Sequence, residues 1–179
     1  MEVRGIWDDG RMAEDSPHTT QHVAWSDPRA IALRDAMDAE MEARYGSSGV
    51  PDEARAAALH RVFTVDGSAV VDTVLLLDDG VPVAHACVRM LPMDSGPEWE
   101  IKRVIVDAAR RGRGLGRTVM SEVIDVARRG GAHRVILQVG DRQPEAVRLY
   151  TELGFTRIPV YPPYAEVVPH SLCFELVLR

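Results

Sequence analysis

Apolar positions along the chain recur in two rhythms, one of period two and one near 3.6, and the switch between them marks the elements. Residues 20–25 read as a short strand. Asp27-Pro28 supplies an N-cap and a first-turn proline, and Ala30, Ile31, Leu33, Met37 and Met41 follow at helical spacing, which predicts a helix over 28–45. The methionine pair reads as core. A loop over 47–51 precedes a second helix over 52–62, rich in Ala and Arg. Strands over 70–77 and 81–90 flank Asp78-Asp79-Gly80 and form a hairpin. A further strand runs over 98–106, and a helix over 115–128 carries Leu115, Val119, Val123, Ile124 and Ala127 on one face. A strand over 134–139, a helix opened by Pro144, and strands over 155–158 and 171–178 complete the order, with a proline- and tyrosine-rich loop over 159–164. This order indicates an α/β (mixed α+β) architecture with helices on both faces of the sheet.

Length and patterning fit one domain over 18–179, with 1–17 read as a flexible, acidic lead-in. The net charge of −6 argues against nucleic acid as a partner. No apolar run approaches the roughly 20 residues of a membrane span, and the N-terminus lacks an apolar signal region. A cytoplasmic protein with no membrane partner is therefore expected. The two cysteines, Cys87 and Cys173, lie in apolar strands and read as buried thiols. The six histidines are scattered, so none is assigned to a metal.

Charge is unevenly placed. From Glu100 to Arg117 six Lys/Arg face two acids, an excess that fits a small polyanion. Within this stretch Arg110-Arg111-Gly112-Arg113-Gly114-Leu115-Gly116-Arg117-Thr118 joins a strand to a helix. Unpaired amides at a helix start, glycines that let backbone approach an anion, and arginines together make a phosphate site. The spacing completes neither a P-loop nor a dinucleotide fingerprint.

Two segments resemble the GNAT superfamily of acetyl-CoA-dependent N-acetyltransferases. Arg111-x-x-Gly114-x-Gly116 is similar to its pyrophosphate pattern, and Gln143-x-x-Ala146-x-x-Leu149-Tyr150-x-x-Leu153-Gly154-Phe155 to its second block, 27 residues after Gly116. The resemblance covers about a third of the chain closely. It implies a mostly antiparallel mixed sheet of about six or seven strands, splayed between the fourth and fifth, with about four helices. It also implies acetyl-CoA as cosubstrate. Val104, Ile105 and Val106 would pair with the pantetheine arm, and Arg111, Gly112, Arg113, Gly114, Leu115, Gly116, Arg117 and Thr118 would hold the pyrophosphate. Gln143 would stand near the pantetheine, in place of the family's usual Asn.

The chemistry implied is direct attack of a neutral amine on the thioester. Tyr150 is the family's usual acid for the leaving thiolate; the alternative is a core tyrosine with a satisfied hydroxyl. One branch carries a base at the position of Gln138, which cannot take a proton. Another places a Glu on the fourth strand, where Glu100 fits; its alternative is a carboxylate paired with Lys102, Arg103 or Arg89. The acceptor pocket would draw on Trp25, Tyr45, Arg89, Glu98, Tyr161 and Tyr164. A small or amino-acid-like amine is the expected acceptor, against a non-catalytic acyl-CoA sensor or a protein or peptide acetyltransferase. A homodimer is compatible with the resemblance.

Overall fold

Residues 18–46 and 52–178 are described by the computed structural model of the protein. The expected lead-in and the loop over 47–51 lie outside the described residues. The elements run β1 (His18–Val23), α1 (Pro28–Tyr45), α2 (Glu53–Phe63), β2 (Val70–Asp78), β3 (Val81–Leu91), β4 (Glu98–Val106), α3 (Leu115–Arg129), β5 (Arg134–Val139), α4 (Pro144–Glu152), β6 (Thr156–Ile158), α5 (Tyr164–Val167) and β7 (Leu172–Val177). Seven strands form one sheet in the order β1-β2-β3-β4-β5-β7-β6. All neighbours are antiparallel except β4 and β5.

Alternation along β2 sets the two layers. Val74 and Leu76 pack into the cluster built on α3, whereas Leu75 and Leu77 face α1 with Ala30 and Leu33. Along β5, Val135, Leu137 and Val139 join the α3 layer, while Ile136 joins Val62, Tyr161, Tyr164 and Cys173 beneath α2 and α5. Helices thus cover both faces, as the element order indicates. Helix α1 begins where Asp27 accepts from the Arg29 amide at 2.8 Å, directly before Pro28.

Two backbone features shape the site. Strands β4 and β5 pair through Glu100 and Ile136 and diverge beyond, which leaves the end of β4 open. The β3–β4 register also shifts between His85 and Cys87, and Arg103 takes a left-handed φ of 56° opposite that shift. The turned Arg103 carbonyl meets His85 Nδ1 at 2.7 Å. Helix α5 follows the loop read over 159–164, in a stretch before the last strand to which the sequence reading assigns no element.

Candidate active site

The divergence of β4 and β5 opens a cleft of about 240 Å³. Val104, Ile105 and Val106 form one wall, Gly112, Gly114, Leu115 and Gly116 the mouth, and Gln143, Leu149 and Tyr150 the other wall. The positions expected to hold a cofactor are therefore largely brought together. Gly112 and Gly114 have φ of 79° and 81°, which only glycine adopts readily, and they turn the chain into α3. A side chain at Gly116 would meet Leu149 Cδ2 at 3.1 Å, so its absence lets α3 approach α4. Within the described residues, the amides of residues 112–116 have no acceptor in a protein group. Those amides and the positive end of α3 converge on the cleft.

The arginines of the loop are less free than their excess suggests. Arg110 and Arg113 both hold Asp78, Arg117 holds Glu152, and Arg111 spans to Glu40 on α1. Arg111 Nε also donates to the Val106 carbonyl at 3.1 Å. The acids that neutralise this stretch come from distant parts of the chain, which a local charge count does not see. Glu40 itself lines the cleft with Met37 and Met41. Met37 also packs against the α1 core cluster, whereas Met41 belongs to the cleft wall and not to the core read from its spacing.

Tyr150 is 6% exposed, against Phe155 and Phe174 with ring centroids at 5.9 and 6.3 Å. Burial pushes its hydroxyl far above the ordinary tyrosine range. It lines the cleft, and among the described residues no hydrogen bond to its hydroxyl is seen. Gln143 stands at the N-cap of α4 without a side-chain capping bond.

The opposite side of the sheet carries a buried polar cluster. Glu100 is fully buried and both its oxygens are engaged. Arg89 Nε donates to Oε2 at 2.7 Å, and Tyr161 and Tyr164 donate to Oε1 at 2.9 and 2.8 Å. Of the two expectations for Glu100, the paired carboxylate matches these contacts. The two tyrosines, expected in the acceptor pocket, are buried against Glu100 instead, and Tyr164 is fully buried at the start of α5. Lys102 Nζ donates to the Tyr164 hydroxyl at 2.8 Å. Glu98 is held by Arg134, at 2.6 and 3.2 Å, and Arg134 also holds Glu175. Trp25 lies over the Arg34 guanidinium, 3.6 Å from the ring centroid. Tyr45 accepts from the Arg142 amide at 3.0 Å.

Arg34 and His85 form a second buried pair that residue patterning does not reveal. Arg34 has only donors, so His85 Nε2 accepts from it at 3.2 Å and the ring proton sits on Nδ1, facing the Arg103 carbonyl. Burial, reinforced by the neighbouring Arg34 and Arg103 charges, pulls the imidazole down to about 4, so it is neutral.

Residues 30–155 match the profile of the Acetyltransferase (GNAT) family. The chain belongs to this family. The chain spans about half or less of the length of the curated relatives it matches. A Klebsiella pneumoniae protein designated an acyl-CoA N-acyltransferase superposes with a TM-score of 0.70 at 25% identity, over 90% of this chain and 98% of that one. A GNAT family acetyltransferase from Elizabethkingia anophelis, solved with acetyl-CoA bound, shares the fold with a TM-score of 0.61 at 12% identity, over 91% and 99% of the two chains. Among curated relatives, N-alpha-acetyltransferase RimI of Mycobacterium tuberculosis is 35% identical over 49% of this chain and 54% of its own length. An L-methionine sulfoximine/L-methionine sulfone acetyltransferase of Salmonella typhimurium is 42% identical over 30% of this chain and 31% of its own. The match to an uncharacterized Mycobacterium leprae protein spans only 22% of that protein. No helix among the described residues is long and apolar enough to cross a membrane.

Proposed function

We propose that this GNAT acetyltransferase transfers the acetyl group to the primary amine of a small, amino-acid-like molecule by direct attack in a ternary complex. The observation that carries the size of the acceptor is the cover over Glu100: α2, α5 and the two tyrosines close that face of the sheet. An extended peptide would need a groove there. The L-methionine sulfoximine/L-methionine sulfone acetyltransferase of Salmonella typhimurium among the relatives supports this class.

In this reading the open edge at Val104, Ile105 and Val106 aligns the pantetheine arm by main-chain bonds. The free amides of residues 112–116 neutralise the pyrophosphate. Gln143 lies across the cleft from them. Tyr150, kept protonated by its burial, gives its proton to the departing thiolate. Glu100 acts as an anchor that fixes Arg89, Tyr161 and Tyr164 beneath α2 and α5.

A second reading, acetylation of peptide N-termini, draws on the RimI relative. Against it stands Gln138, which has no proton-accepting group. The test is release of CoA thiol with L-methionine sulfone, glucosamine 6-phosphate and an alanine-led peptide as acceptors. Turnover of the amino-acid probe above the peptide supports the first reading; preference for the peptide rejects it.

A further inference from the structure

The chain carries 21 Lys and Arg residues, and only one of them, Lys102, is a lysine. It is also placed unlike its neighbours. Arg103, Arg110, Arg111, Arg113 and Arg117 each hold a carboxylate. Within the described residues Lys102 forms no ion pair, although it is 7% exposed. Its Nζ has the Tyr164 hydroxyl at 2.8 Å and lies 4.9 Å from the Tyr164 ring centroid and 5.8 Å from that of Phe63.

The groups that face it come from four elements. Its own strand supplies Glu100 and Arg103, β3 supplies Arg89 and Cys87, α5 supplies Tyr164 and α2 the uncharged ring of Phe63. Desolvation is the largest influence and disfavours the ammonium; Arg89 and Arg103 add to it, and Glu100 opposes it. The Glu100 carboxylate is already shared among Arg89 and two tyrosines. A buried cation without its own counter-ion sheds its proton in preference to remaining charged. Arginine cannot do so, whereas lysine can, which gives a physical reason for a lysine here in a chain that otherwise uses arginine.

Lys102 also lies at the right place along the strand. It shares a sheet face with Glu100, at the point where β4 and β5 part, and precedes Val104 by two residues, about 7 Å along the strand. We propose that Lys102 is the proton acceptor for the incoming ammonium. Its unprotonated Nζ uses its lone pair to form a new N–H bond as one N–H bond of the ammonium breaks. The electron pair of the broken bond stays on the substrate nitrogen and attacks the thioester carbonyl. Lys102 then returns its proton to water. Glu100 is a positioning residue in this scheme, holding Tyr164 and through it Nζ. The inference rests on the acetyltransferase reading above.

A single lysine makes the test direct. The full chain, carrying a lysine-free tag and labelled with 13C,15N-lysine, gives one side-chain Cε/Nζ signal. That signal is followed from neutral to alkaline pH. The expected result is a titration well below the ordinary lysine range; a midpoint at or above that range overturns the proposal whatever the activity. With an acceptor from the panel above, Lys102→Met and Lys102→Arg should both lower kcat/KM by about 10²-fold or more. The alkaline-going limb of the wild-type profile should coincide with the measured titration. An active Lys102→Arg variant overturns the proposal, because a permanent cation cannot accept a proton. Acetyl-CoA calorimetry on the same samples separates the two levels: absent binding in the wild type removes the acetyltransferase reading, whereas intact binding with an ordinary lysine titration removes only this inference.

Discussion

Glu40 on α1 holds the Arg111 guanidinium across the mouth of the cofactor cleft, with both carboxylate oxygens engaged. The same arginine occupies the Val106 carbonyl on the open strand edge. Arg44 continues the link from Glu40 to Glu145 on α4. If the loop holds the pyrophosphate as proposed, phosphate and Glu40 compete for one guanidinium. Removing the competitor should favour the cofactor: Glu40→Gln is expected to tighten acetyl-CoA about 2- to 5-fold, the worth of a partly exposed ion pair. The gain should shrink at high salt. Calorimetry at two ionic strengths checks it, and weaker binding in the variant would reject the competition.

Gly114 initiates α3 with φ of 81°. A β-carbon there meets no neighbour, so the cost is conformational rather than steric crowding by other side chains. Gly114→Ala should destabilise the fold by about 1–2 kcal/mol. It should also weaken acetyl-CoA, because the amides of the loop lose their alignment. Thermal unfolding with and without acetyl-CoA measures both effects.

His85 gives the fold an acid weakness. The buried ring stays neutral down to about pH 4, while the unfolded chain takes up its proton near the ordinary value of 6.5. Its contribution is complete above about pH 6.5 and is lost as pH falls through 4. The difference between these values corresponds to about 3 kcal/mol. Urea unfolding at pH 7 and at pH 4.5 should show that decline, and His85→Gln should flatten it. An unchanged slope in the variant would assign the acid sensitivity elsewhere.

Tyr150 is expected to act in the chemical step and not in cofactor binding. Tyr150→Phe keeps the ring contacts with Phe155 and Phe174. It should lower kcat about 10²-fold or more and leave the KM for acetyl-CoA little changed. Full turnover in the variant would make the residue a core tyrosine.

Much of this layout is legible in the residues. The Asp27-Pro28 start sets α1, and Gly112 and Gly114 set the turn into α3, because both signals act within a few residues. The two blocks around Gly116 and Tyr150 face one another in the cleft. What escapes the sequence is long-range or short-lived. Helix α5 has four residues after Pro162-Pro163, too few for a periodic signal. The partners of the basic loop lie 32 to 71 residues away, from Asp78 to Glu40. The choice between a free and a paired Glu100 depended on Tyr161 and Tyr164, more than sixty residues downstream. Pattern reading finds surfaces; it does not pair the side chains that meet across them.

The central claim is that the cleft between β4 and α4 presents acetyl-CoA to an amine. Titration calorimetry of acetyl-CoA into the full chain, repeated with Gly114→Ala and Arg111→Ala, tests it most directly. The account predicts one saturable site in the wild type and about tenfold or greater weakening in Arg111→Ala, from loss of a charge-assisted bond. Absence of binding in the wild type, or equal affinity in all three proteins, would contradict it.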